Sequence, residues 1–104
     1  MKIYTVQRQD KFDYDFSVLL TNLGCYTDKT KAIARSKAEY EHMQGEYEDE
    51  MLKYSDTDIY DPNDYGSGAL EVEVDDECGF YSISYGMHED YETHGVWVDE
   101  WEVQ

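Results

Sequence analysis

The alternation of apolar and polar positions divides the chain into short segments of period two around one stretch of helical period. Lys2 to Gln7 sets Ile3 and Thr5 on one parity and Tyr4 and Val6 on the other, and its β-branched and aromatic residues predict a strand. A polar stretch from Arg8 to Asp15 follows, then a second short apolar run, Phe16 to Thr21, which together predict an antiparallel hairpin with a long connection. Thr27 or Asp28 stands where a helix N-cap belongs, ahead of KTKAIARSKAEYEHMQ. Ile33, Tyr40, Tyr47 and Tyr54 recur every seven residues, with Ser36, Met43 and Met51 beside them, so one long helix with a single sheet-facing stripe is expected. Gly45 weakens its middle, and the acidic run Glu46, Glu48, Asp49 and Glu50 opposes the macrodipole of such a helix, which predicts a break or fraying there.

Ser55 to Gly68 holds the only proline and no periodicity, and reads as a loop. Three further strands are predicted at Ala69 to Asp75, Gly79 to Met87 and Val96 to Val103, joined by acidic turns at Asp76-Glu77 and from His88 to His94. The expected fold is a single α+β domain over residues 1–104, in the order ββαβββ, with one helix laid on an antiparallel sheet.

Composition alone points elsewhere. Val, Ile, Leu and Phe total only 19 of 104 residues and the formal charge is -17, a combination typical of disordered chains. Eleven Tyr and two Trp supply the missing apolar bulk, so a Tyr-rich core is expected. Charge is also unevenly placed. Residues 1–38 carry seven basic side chains against four acidic ones, a net of +3, whereas residues 39–104 carry Lys53 alone against 21 acids, a net of -20. Nucleic acid and anionic membrane are repelled by such a surface, and a basic partner is invited. With no apolar run long enough for a signal peptide or a membrane span, a soluble, cytoplasmic chain is expected. Cys25 and Cys78 belong to no metal-binding or redox motif and read as packing residues.

Parity gives the charge a shape. In the third strand Leu70, Val72 and Val74 point one way and Glu71, Glu73 and Asp75 the other, about 6.6 to 6.8 Å apart along the strand, which forms a carboxylate ladder. Asp56, Asp58, Asp61 and Asp64 in the loop and Glu89, Asp90 and Glu92 in the late turn add to it. Tyr60, Tyr65 and Tyr91 lie beside these acids, and carboxylates next to aromatic rings suit a surface that meets Arg and Lys.

Other chemistries match less well. Asp61, Asn63 and Gly66 fit the first, third and sixth positions of a calcium loop, but Tyr65 holds the fifth and Val72 the twelfth, with Glu71 one residue early. His88 and His94 are six residues apart in an acidic turn, which is no zinc spacing, and His42 reads as a surface residue. No nucleophile motif, phosphate-binding loop or Cys/His pairing is present, so neither an enzyme nor a cofactor is expected.

The segments KIYTVQ, TDKTKAIARSKAEYE and VWVDEWEVQ resemble small proteins encoded by phages and mobile elements of low-GC Gram-positive bacteria, a group that includes acidic anti-CRISPR and other anti-defence proteins. The resemblance covers residues 1–40 and 96–104 and implies an inhibitor whose carboxylates mimic nucleic acid in the basic groove of a target such as a CRISPR effector. Separately, Lys29, Lys31, Arg35 and Lys37 can meet the acidic surface of a second copy, so a monomer or a homodimer is expected. Two alternatives stand beside it: a domain that binds through an exposed aromatic patch at Trp97 and Trp101, and a calcium-responsive module.

Overall fold

The computed structural model describes residues 1–13, 15–55, 68–87 and 91–104. Among these residues five strands form one antiparallel sheet: β1 (Lys2–Phe12), β2 (Ser17–Tyr26), β3 (Gly68–Asp75), β4 (Phe80–Met87) and β5 (Glu92–Glu102), in the spatial order β2-β1-β5-β4-β3. Two helices, α1 (Lys29–Glu46) and α2 (Glu48–Ser55), cover one face. The α+β class and the antiparallel sheet agree with the sequence reading, but the order among the described residues is ββααβββ and the single long helix is corrected to two.

The break falls at Tyr47, two residues beyond Gly45. Its backbone leaves helical geometry (φ -109°, ψ 18°) while its N–H still donates to the Met43 carbonyl at 2.9 Å. Electrostatics explains the site. A restart here places Glu48, Asp49 and Glu50 in the first turn of α2 and Lys53 in its last, so acids that would oppose one long dipole instead favour a second helix. Asp28 caps α1, its carboxylate accepting from the Thr30 N–H at 2.9 Å.

The core lies between the helices and the even-numbered side chains of β1 and β5. Among the described residues Tyr4, Tyr40, Tyr81 and Tyr85 are four of its nine buried apolar residues, with Val6, Ala32, Met43, Ile83 and Val96. Tyr40 stacks on Tyr81 at 4.8 Å between centroids and Tyr54 on Tyr85 at 5.8 Å, so tyrosine rings supply the bulk that a low aliphatic content withholds. The predicted stripe is the packed one: Ser36, Tyr40 and Met43 are buried, and Tyr47, Met51 and Tyr54 pack against the core. The β3–β4 turn needs a glycine. Gly79 has φ +74°, and a Cβ there would meet Val98 Cγ2 at 3.0 Å and Ile33 Cγ1 at 3.2 Å.

Two strands run further than their sequences suggest. β1 continues through Arg8 to Phe12, where a polar connection was expected, and β5 begins at Glu92, so His94 stands in a strand rather than in a turn. The cysteine expectation is also corrected: Cys25 and Cys78 are exposed free thiols, not packing residues.

Candidate interaction surface

Extending β1 and β5 carries charged side chains into the interior. Arg8 and Asp10 continue the parity of Tyr4 and Val6 and are buried under α1, next to Glu39 of the helix. Arg8 donates from Nε to both Asp10 oxygens at 3.2 and 3.1 Å, from Nη1 to Glu39 Oε1 at 2.8 Å, and from Nη2 to Glu46 Oε1 at 2.9 Å and to the Tyr47 hydroxyl at 3.0 Å. Arg35 closes the far side, donating from Nη1 to Glu39 Oε2 at 3.0 Å as the second donor to that carboxylate. The planar guanidinium suits this cluster because its forked donors reach three carboxylates at once.

Burial alone pushes the Asp10 carboxyl upward, but hydrogen bonds from His94 and Arg8 outweigh it and hold Asp10 below its ordinary value of 3.8. Glu39 is likewise held below 4.5, burial being outweighed by hydrogen bonds from Arg8 and Arg35. For Arg8, burial acts downward and the hydrogen bonds to Asp10, Glu46 and Glu39 raise it above the ordinary guanidinium value. Both carboxylates therefore bind protons less readily folded than unfolded. Their stabilisation is complete above about pH 5 and is lost as pH falls through and below the ordinary carboxylate range. Thermal melts should be flat from pH 7 to about pH 5 and decline below that; a midpoint that rises on acidification would show that relief of the net negative charge outweighs the cluster.

His94 completes the group. Its Nδ1 lies 2.6 Å from Asp10 Oδ1, its ring stacks under Tyr47 at 4.0 Å between centroids, and its Nε2 has no hydrogen-bond partner among the described residues, with Glu92 Oε2 at 3.8 Å. A His–Asp pair can move a proton only where a reactant reaches it, and His94 is 0% exposed. The cluster is a polar continuation of the core. Alternation starting at Tyr4 and carried past Gln7 was the sequence signal for it, and the polarity of Arg8 and Asp10 concealed that signal.

Among the described residues, no helix covers the opposite face of the sheet. Strand register arranges its side chains in transverse rows: Glu73, Ser82, Gly95 and Gln9 form one, and Glu71, Ser84, Thr93 and Lys11 another. Asp75 pairs with Phe80, and Trp97 with Gln7. A groove of about 540 Å³ runs over the small residues Ser82 and Gly95, walled by Phe80 and Trp97. Both indoles are fixed: Trp97 Nε1 donates to Asp99 Oδ2 at 3.0 Å, and Trp101 Nε1 to the Thr5 hydroxyl at 2.9 Å. Trp101 is 53% exposed. Tying down each N–H leaves apolar ring surface on this face, where a guanidinium can stack while pairing with a nearby carboxylate.

The ladder stands as expected on strand parity. Glu71 and Glu73 are exposed, while Asp75 is held below 3.8 by a hydrogen bond from the Cys78 side chain and then by the backbone N–H groups of Cys78 (3.3 Å) and Glu77 (3.1 Å) in the turn. Tyr91 lies near Glu71 and Asp13, and its phenol is raised by burial and then by those charges. Glu92 does not join the ladder: it projects to the helix-covered side, towards His94 and Tyr85. Asp56, Asp58, Tyr60, Asp61, Asp64, Tyr65, Glu89 and Asp90, and with them most of the calcium-like loop, lie outside the described residues. Among the described residues no group of three or more His, Cys, Asp or Glu side chains is placed to hold a metal ion, and no helix is long and apolar enough to cross a membrane. Comparison with protein-family models, with curated proteins and with solved structures finds no match for this chain.

Proposed function

We propose that this chain is a non-catalytic interaction protein that covers a basic, nucleic-acid-binding surface of another cytoplasmic protein, in the manner of an anti-CRISPR or related inhibitor. The observation that carries this reading is the coincidence, on one helix-free sheet face, of the Glu71–Glu73–Asp75 row with the groove between Phe80 and Trp97. Alternate carboxylates about 6.8 Å apart match two 3.4 Å steps of a nucleic-acid strand, and the neighbouring rings give arginine a stacking platform that a phosphate backbone lacks. A net charge of -17 adds long-range attraction to the target and repels competing nucleic acid.

An octa-arginine peptide serves as a probe of the face. Titration followed by tryptophan emission should report binding at the indoles, with affinity falling at least about tenfold between about 50 and 300 mM salt. Peptide binding that leaves the emission unchanged, or that ignores salt, would count against this face and this chemistry. Salt-insensitive binding that is lost in Trp101→Ala would favour docking through the aromatic patch alone.

A further inference from the structure

We infer that the outer edge of β2 is a self-association site, at which a second copy of this chain adds its own β2 antiparallel and extends the sheet to ten strands. The two sheet edges are guarded differently. β3 carries Glu71, Glu73 and Asp75, and charges on an edge strand discourage pairing. β2 carries none: residues 16–27 are the longest uncharged run in the chain. Its register against β1 is regular from Ser17 to Asn22, the one irregularity lying beyond, between Val6 and Gln7 of the partner strand. An uncharged edge of six residues in regular register is a template for another strand.

Three apolar side chains in this stretch are uncovered, on both faces. Val18 and Leu20 lie on the helix-free side and Leu19 on the other, all more than half exposed, because the helix layer packs only against the Leu23 and Tyr26 end of this strand. Phe16, just before the strand, is 94% exposed and holds φ at +58°, a left-handed conformation that a bulky residue rarely adopts. The Asp15 carboxylate, accepting from the Ser17 N–H at 2.9 Å, braces that turn. Nothing within the described chain packs on the ring in return for the strain.

Charge selects the occupant. A chain of net charge -17 can meet its own copy only where repulsion is least. β2 has no charge, and β1 beside it carries Lys2, Arg8 and Lys11 against Asp10, while the acids concentrate on α2, β3 and β5. Pairing β2 with β2 sends the two acidic flanks to opposite ends. A two-fold axis perpendicular to the sheet then sets both helix layers on one side and joins Val18 and Leu20 of each copy on the other, an isologous and closed contact.

Sedimentation equilibrium on the full chain tests this, from about 10 μM to 1 mM. The wild type should populate a species of twice 12.3 kDa, and added salt should strengthen it by screening repulsion, the reverse of what is expected for binding a basic partner. Leu20→Lys and Val18→Lys, both at exposed positions, should each weaken the dimer at least about tenfold with an unchanged far-UV spectrum, whereas Val74→Lys on the opposite edge should leave it intact. Should Leu20→Lys fail to fold, Val18→Lys decides. A wild type that stays monomeric at the highest concentration, a dimer that survives the β2 variants, or one lost equally in Val74→Lys would overturn the assignment.

Discussion

Replacing Arg8 with Met should destabilise the domain by about 3–5 kcal/mol, the usual cost of leaving buried partners of an ion pair uncompensated. Asp10 and Glu39 would lose their main cationic partner while remaining buried between β1 and α1, and Glu46 and the Tyr47 hydroxyl would each lose a hydrogen bond. Against the 5–15 kcal/mol typical of a whole domain, such a loss brings the chain close to unfolding. Arg8→Lys should recover only part of the difference, since one ammonium cannot present the fork that reaches three carboxylates. Urea denaturation followed by circular dichroism measures both. A midpoint for Arg8→Met within about 0.5 kcal/mol of the wild type would show that the cluster contributes little, as many exposed ion pairs do.

The second large effect concerns the open face. Glu71→Lys with Glu73→Lys should weaken octa-arginine binding about 10- to 100-fold, because two attractive charges become repulsive beside the groove. The comparison that gives this meaning is Glu48→Lys with Asp49→Lys on α2, which changes net charge equally at another exposed acidic site. Equal losses from the two double variants would mean that the probe reads total charge. A loss confined to the β3 variant places recognition on the sheet. Trp101→Ala should cost a further factor of about 2 to 30 through lost cation–π contact, without unfolding a domain to whose core this half-exposed ring does not belong.

Much of this architecture was legible in the alternation of residues. Parity alone separated Glu71, Glu73 and Asp75 from Leu70, Val72 and Val74, and placed Trp97 and Trp101 on one side of their strand. The heptad of Ile33, Tyr40, Tyr47 and Tyr54 marked the packed side of the helices even though Tyr47 is where they part. The interior of β1 was not legible. Arg8 and Asp10 are polar, so a hydrophobic pattern ends at Gln7, yet their burial is possible because Glu39 and Glu46 of α1 and His94 of β5 converge on them from distant parts of the chain. Local sequence cannot show a partner 31 or 84 residues away. The helix break was legible in part: Gly45 and the acidic run marked its neighbourhood, while its place at Tyr47 follows once Glu48 to Glu50 are read as the start of a new dipole and not as the end of an old one.

The pairing of acids with aromatics on a helix-free face is the centre of the functional reading, and amide and indole resonances report on it directly. In a ¹⁵N-correlated NMR titration with octa-arginine at low salt, the expected perturbations fall on the amides of Glu71, Glu73, Ser82 and Gly95 and on the indole N–H groups of Trp97 and Trp101. Perturbations confined to α2 around Glu48 to Glu50, with both indoles unmoved, would contradict it.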